Sequence, residues 1–254
     1  MPNRRQVLMQ LTAATAASGT VLMPYRLRAD GHSGDVFDTT VGQVTVHPIS
    51  HASMVLQVPA GTIYVDPVGG AALYDGLPEP DLILITHEHA DHYDPPTLAA
   101  LVGSETQIIA NPAVQAQLDH PATVLANGES VLWEGAGILA IPAHNLTEGR
   151  LQFHPPGRDN GYVIDLGGYR IYISGDTEDV PEMRALQGID LAFVCMNLPF
   201  TMDAEAAADA VREFAPRVVY PYHYRGRDNG TQDPAEFAEM VGDASEVRLG
   251  PWYS

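Results

Sequence analysis

Lysine is absent from the 254-residue sequence: its basic residues, 13 in all, are arginines, set against 32 acids for a formal net charge of −19. Arg4, Arg5, Arg26 and Arg28 precede residue 30 and no acid does, so residues 30–254 hold nine arginines against 32 acids, a charge of −23. A surface that acidic repels phosphate backbones and argues against a nucleic-acid partner. Cysteine is nearly absent as well. Cys195 stands alone, so no internal disulfide can form, and its place in the apolar run IDLAFVC predicts a buried structural thiol. No apolar run approaches the roughly 20 uninterrupted residues of a membrane span. Long helical bundles are disfavoured by 20 prolines and 23 glycines, which predict short strands and many turns.

Against these absences, two parts of the chain carry unusual content. Residues 1–29 pair Arg4 with Arg5, continue with an alanine- and threonine-rich apolar stretch broken by Gln10, Thr12, Thr15, Ser18 and Gly19, and end in the polar PYRLRAD. This resembles a twin-arginine export signal and predicts a periplasmic or otherwise exported protein with no stable membrane span after processing. Residues 30–254 have the size and the 45% apolar content of one domain with a sizeable core.

The second part is THEHADHYD, residues 86–94, with three histidines and two aspartates in nine positions. It follows DLILIT, a continuous apolar run of the kind that forms a strand buried on both faces. His87 and His89, two apart in extended chain, project to the same side and can meet one cation. Asp91 and His92 fall where the chain must turn before a helix starting at Asp94-Pro95-Pro96. Other ionisable residues stand just past apolar strands: Asp66 after TIYV, His144 after ILAIPA, Asp176 after RIYISG and His223 after RVVYPY. Strand ends are where layered folds open their sites. Imidazole with carboxylate suits zinc, and also manganese or iron, whereas calcium takes oxygen ligands.

The remaining pattern predicts strands at VTVHPI, SMVLQV, TQIIA, SVLWE and 190–195. A hairpin is expected around Gly167-Gly168, with helices near 111–118, 180–187, 203–214 and 233–241 and closing strands at 217–221 and 245–249. Strands dominate early and alternate with helices later. Two sheets packed face to face with helices outside satisfy that order.

On these residues the sequence resembles the metallo-β-lactamase superfamily. HEHADH, residues 87–92, fits the H-x-H-x-D-H signature, and His144, Asp176 in SGDT and His223 in PYHY follow in the family's order. The resemblance spans about residues 42–250 and implies an α/β four-layer αββα sandwich with a dinuclear site at one edge. It implies that His87, His89 and His144 hold one divalent ion, that Asp91, His92 and His223 hold another, that Asp176 bridges them, and that Asp66 orients a ligand histidine. Two zinc ions are expected, with manganese or iron as substitutes.

ISHASMVL, containing His51, together with DNGYVI and YPYHY, resembles the subgroup that includes L-ascorbate-6-phosphate lactonase and N-acyl-phosphatidylethanolamine phospholipase D. That likeness implies a hydrolase in which a hydroxide shared by two metals cleaves a lactone or other ester. A phosphodiester or phospholipid is the alternative substrate, and an iron-dependent oxidoreductase of the same fold is the alternative of another class. Asp91, Asp176 and His51 are the candidate catalytic residues. Asn145, His154 and Asn160 are further candidates to line the cleft. An aspartate at position 176 argues against antibiotic hydrolysis, because true β-lactamases usually lack one there.

Overall fold

The computed structural model describes residues 34–253; the expected export signal at 1–29 lies outside the described residues. The chain builds two seven-stranded sheets in succession. The first contains β1 (Asp35–Thr39), β2 (Gly42–Ser50), β3 (Ser53–Val58), β4 (Gly61–Val65), β5 (Leu82–Ile85), β6 (Gln107–Ala110) and β7 (Thr123–Val124), paired in sequence order. The second contains β8 (Ser130–Trp133), β9 (Ala136–Ala143), β10 (Asp159–Asp165), β11 (Arg170–Ile173), β12 (Leu191–Cys195), β13 (Val218–Tyr222) and β14 (Glu246–Val247), also in order.

Each sheet begins as an antiparallel meander and ends as a parallel run. The change comes at β4–β5 in the first and at β11–β12 in the second. No sequence repeat announces this structural one. Parallel pairing requires crossovers, and these carry the helices. In the first half they are α1 (Pro95–Leu101) and α2 (Pro112–Gln115); in the second, α3 (Pro181–Arg184), α4 (Ala204–Phe214) and α5 (Pro234–Val241).

Alternation along the central strands sorts the layers. Met54 and Leu56 of β3, Ile63 and Val65 of β4, and Leu82 and Leu84 of β5 join one core shared with the second sheet. Val55, Tyr64, Ile83 and Ile85 point the other way and pack with Leu98 of α1 and Val114 of α2. β12 and β13 are buried along their whole length, with Met183 of α3, Val211 and Phe214 of α4 and Phe237 of α5 in the same core. The result is the expected α/β four-layer αββα sandwich.

Helix starts follow local chemistry. Asn111, Asp203 and Asp233 accept backbone N–H bonds from Val114, Ala206 and Ala235, and proline occupies the first turn of α1, α2, α3 and α5. Asp94 holds the N-cap position of α1, yet its carboxylate accepts from Thr97 Oγ1 at 2.5 Å and Gly69 N at 3.3 Å instead of capping the helix backbone. The tie fixes the 67–70 turn beside the histidine cluster.

Two strands, β1 and β7, carry too little apolar alternation to be read from sequence. α3 is a single turn where a longer helix was expected over 180–187, and the closing strand is two residues where 245–249 was expected. Among the described residues no helix is long and apolar enough to cross a membrane.

Candidate metal centre

The candidate residues converge at the ends of strands from both sheets. β5 runs into Thr86 and His87, β4 into Asp66, β11 through Ser174 and Gly175 into Asp176, β13 into His223, and the β2–β3 turn holds His51. Three of these are non-glycine residues in the left-handed region: His51 at φ 53, Asp66 at φ 45 and His223 at φ 49. Such backbone strain persists where the surroundings impose it, and it concentrates at functional sites. Gly175 (φ 60) lets the chain turn toward Asp176, because a Cβ there would stand 2.7 Å from Asn160 O.

Three groups could each hold a cation, with candidate ligand atoms within 4.8 Å of one another: His87, His89 and His154; His87, His92 and Asp176; and His51, Asp91 and His223. Asp176 joins them. Its Oδ1 lies 3.3 Å from His92 Nε2, and its Oδ2 lies 3.4 Å from His154 Nε2 and 3.5 Å from His223 Nε2. His223 Nε2 is 3.3 Å from Asp91 Oδ2, and His87 Nε2 is 3.1 Å from His89 Nδ1.

These spacings fit a metal. Ligands about 2.1 Å from a tetrahedral ion stand about 3.4 Å apart. His92 Nε2, His223 Nε2 and Asp176 Oδ1 are buried and make no hydrogen bond. Buried polar atoms rarely go unpaired, and a cation would satisfy all three.

A ring of partners turns the imidazoles inward. His92 Nδ1 lies 2.7 Å from Asp66 Oδ2, His154 Nδ1 lies 2.9 Å from Asp159 Oδ2, and His87 Nδ1 lies 3.0 Å from Thr86 Oγ1. His223 Nδ1 meets the Asn197 side chain at 2.8 Å, and His51 Nδ1 meets Tyr253 Oη at 2.7 Å. In each ring Nδ1 is engaged and Nε2 faces the centre, the arrangement that fixes a metal-binding tautomer. His89 is reversed, with Nδ1 inward and Nε2 3.5 Å from the Arg158 guanidinium.

Electrostatics divides the cluster. Burial, then neighbouring His92, pushes the His87 pKa well below its ordinary value; burial, then His154, lowers that of His89. Burial opposes charge on His92 too, but Asp176 and Asp66 on either side outweigh it and raise its pKa well above the ordinary value. Burial would raise Asp176 and Asp91. For Asp176 the charges of His223 and His92 dominate, and for Asp91 the close approach of the His223 and His51 imidazoles does, so both carboxylates stay ionised. His87, His92, His154, Asp176 and His223 are buried, whereas the Asp91 side chain is 48% exposed and that of His51 24%, which places these two at the opening.

Of the expected ligands, His87, His89, Asp91, His92, Asp176 and His223 come together and His144 does not. His144 Nδ1 lies 3.0 Å from Asn145 O, and its backbone is pinned to Thr177 and Glu178. His154 stands where His144 was expected. After β9 the chain makes an excursion and returns, closed by the Asn145 N to His154 O bond of 2.8 Å, so the histidine beside His87 and His89 is the one at the end of the loop. The readable signal was His154 with Asp159 five residues on, at the start of β10. Asn145 and Asn160 are buried and spend their amides on backbone carbonyls, Asn145 on those of Arg150 and Phe200 and Asn160 on that of Leu125.

A two-sheet sandwich with such a cluster at its strand ends is the architecture of the beta-lactamase superfamily domain, whose sequence profile matches residues 45–223. Within it, a UPF0173 metal-dependent hydrolase of Thermococcus onnurineus is 35% identical over 217 residues, covering 80% of this chain and 95% of that one. Another, from Thermus thermophilus, is 32% identical over 208 residues, covering 78% and 91%. A solved structure from Parabacteroides distasonis shares 42% identity with a TM-score of 0.78, covering 86% of this chain and 98% of that one. The chain belongs to the UPF0173 family of metal-dependent hydrolases.

Proposed function

We propose that this hydrolase cleaves a lactone or other simple ester at a two-ion centre. His87, His89 and His154 would hold one ion, Asp91, His92 and His223 the other, and Asp176 would touch both. Divalent ions there, zinc by the donor set, supply Lewis acidity that acidifies water and neutralises charge developing on the substrate. The observation that carries this reading is the position of Asp176, whose two oxygens face His154 of one group and His92 and His223 of the other.

The chain's own groups then divide the work. Asp176, held ionised, orients the attacking water and can accept its proton. Asp176 can then pass that proton to the leaving group, while Asp91, bonded to His51, stands at the opening of the site. The ester preference is supported by the likeness of the His51 segment and YPYHY to the lactonase-containing subgroup. Replacing Asp176 by alanine should lower ester turnover by at least about a hundredfold, with the fold retained. Near-normal turnover in that variant overturns the reading.

A further inference from the structure

Nine arginines fall within the described residues of a strongly acidic chain. Seven are paired with carboxylates: Arg150, Arg158, Arg170, Arg184, Arg212, Arg217 and Arg248. The other two, Arg225 and Arg227, are exposed, make no ion pair among the described residues, and follow the candidate ligand His223 by two and four positions.

Both lie over aromatic rings at the margin of the centre. The Arg225 guanidinium carbon stands 4.1 Å over the ring of Tyr253, whose hydroxyl meets His51. The Arg227 guanidinium carbon stands 5.5 Å over the ring of Phe200, which packs at 5.0 Å against Phe153, the neighbour of His154 in sequence. Cation–π contact holds each guanidinium in place without neutralising it.

The loop beneath them is built. Arg227 N donates to Leu198 O at 3.0 Å, Leu198 N to Gly230 O at 3.0 Å, and Gly230 N to Arg227 O at 2.7 Å. A Cβ on Gly226 or Gly230 would come within 2.1 and 1.9 Å of Leu198 O, so only glycine permits the approach.

We propose that Arg225 and Arg227 are an anion-recognition pair at the rim of the metal centre, so that the substrate carries a carboxylate or phosphate group near the bond that is cleaved. This rests on the hydrolase reading above. In a chain with abundant acids, a guanidinium left without one keeps its charge; Arg225 gives one N–H to Tyr253 O at 3.4 Å, and the remaining donors of the two planar forks match both anions. The pair also supplies local positive potential where the overall charge would repel such a substrate.

The test uses the full metal-loaded chain with 4-nitrophenyl acetate and mono-4-nitrophenyl glutarate. The glutarate-to-acetate ratio of kcat/KM should fall about tenfold in Arg225→Ala/Arg227→Ala, chiefly through KM for the glutarate ester, and recover in part in the double lysine variant. Arg217→Ala, which removes a remote ion-paired arginine, controls for general charge. A ratio unchanged in the double alanine variant, or lowered equally by Arg217→Ala, overturns the proposal. If wild type turns over neither ester, the ester assignment fails separately, and calorimetric binding of glutarate and inorganic phosphate decides the arginines. About tenfold weaker binding in the double variant supports them, and equal affinity overturns them. The anion whose binding falls more identifies the group recognised.

Discussion

Asp66 Oδ2 lies 2.7 Å from His92 Nδ1, while Asp66 Oδ1 accepts the Thr86 backbone N–H at 2.7 Å. Both residues are fully buried, and Thr86 Oγ1 donates to the same carboxylate at 2.6 Å. Asp66 therefore ties the end of β5 to the His92 ring and sets the direction of Nε2. Asp66→Asn keeps the shape but replaces one acceptor oxygen by a donor, which disrupts either the Thr86 N–H bond at Oδ1 or the Thr86 Oγ1 and imidazole bonds that share Oδ2. Metal affinity of the group containing His92 should fall about 10–100-fold, read by chelator competition, with near-ultraviolet circular dichroism unchanged.

His154 and His144 make opposite predictions. His154→Ala removes the third imidazole of the group with His87 and His89, and leaves Asp159 holding only Arg158. Purified protein should lose about one equivalent of metal by elemental analysis. His144→Ala removes a ring whose recorded bond is to the neighbouring Asn145 carbonyl, and metal content should stay at the wild-type level. The reverse result would return His144 to the ligand set.

That exchange shows where sequence legibility ended. The strands around the site were readable because β4, β5 and β13 are apolar runs that stop at an ionisable residue, and H-x-H-x-D-H places four side chains in one turn. The position of a ligand beyond β9 depends on whether the 145–153 loop returns to the strand end, where the Asn145–His154 backbone bond closes it and the Asn145 and Glu178 side chains hold it. The repeat of the two sheets was hidden for a related reason: strand order is set by crossovers, and their lengths differ between the halves. The rim arginines were visible as residues, but only coordinates show which arginines lack an acid.

Acidity should govern metal loading. In the metal-free protein His92 keeps its proton to well above its ordinary pKa, burial opposing it but Asp176 and Asp66 prevailing. A metal must displace that proton, so affinity should fall as pH drops, and calorimetry in buffers of different ionisation enthalpy should detect proton release. Stability of the metal-free fold has two limits. The contribution of His92, whose folded pKa is raised, is present at low pH and lost as pH rises through that value. Those of His87 and His89, whose folded values are lowered, are present above about pH 6.5 and lost as pH falls below it, because the unfolded chain then takes protons the folded chain refuses. Chemical denaturation of the chelated protein across pH should therefore show lower stability on both the acid and the alkaline side.

Metal removal should cost stability as well as activity. Without an ion, the buried His92 Nε2, His223 Nε2 and Asp176 Oδ1 have only the 3.3–3.5 Å approaches among these side chains and Asp91 and no well-formed hydrogen bond, whereas a cation would ligate all three. Adding zinc at about a hundred times its Kd should stabilise the fold by about 2.7 kcal/mol, with Tm continuing to rise with the logarithm of free metal. His223→Ala should shrink the zinc-dependent rise, because it deletes a ring that approaches both Asp91 and Asp176, whereas Arg217→Ala should leave the rise intact. Differential scanning fluorimetry of chelated and zinc-loaded protein reads the difference directly. Identical melting of the two forms would mean that the buried, unpaired atoms at the strand ends bind no metal, and the two-ion reading would fall with them.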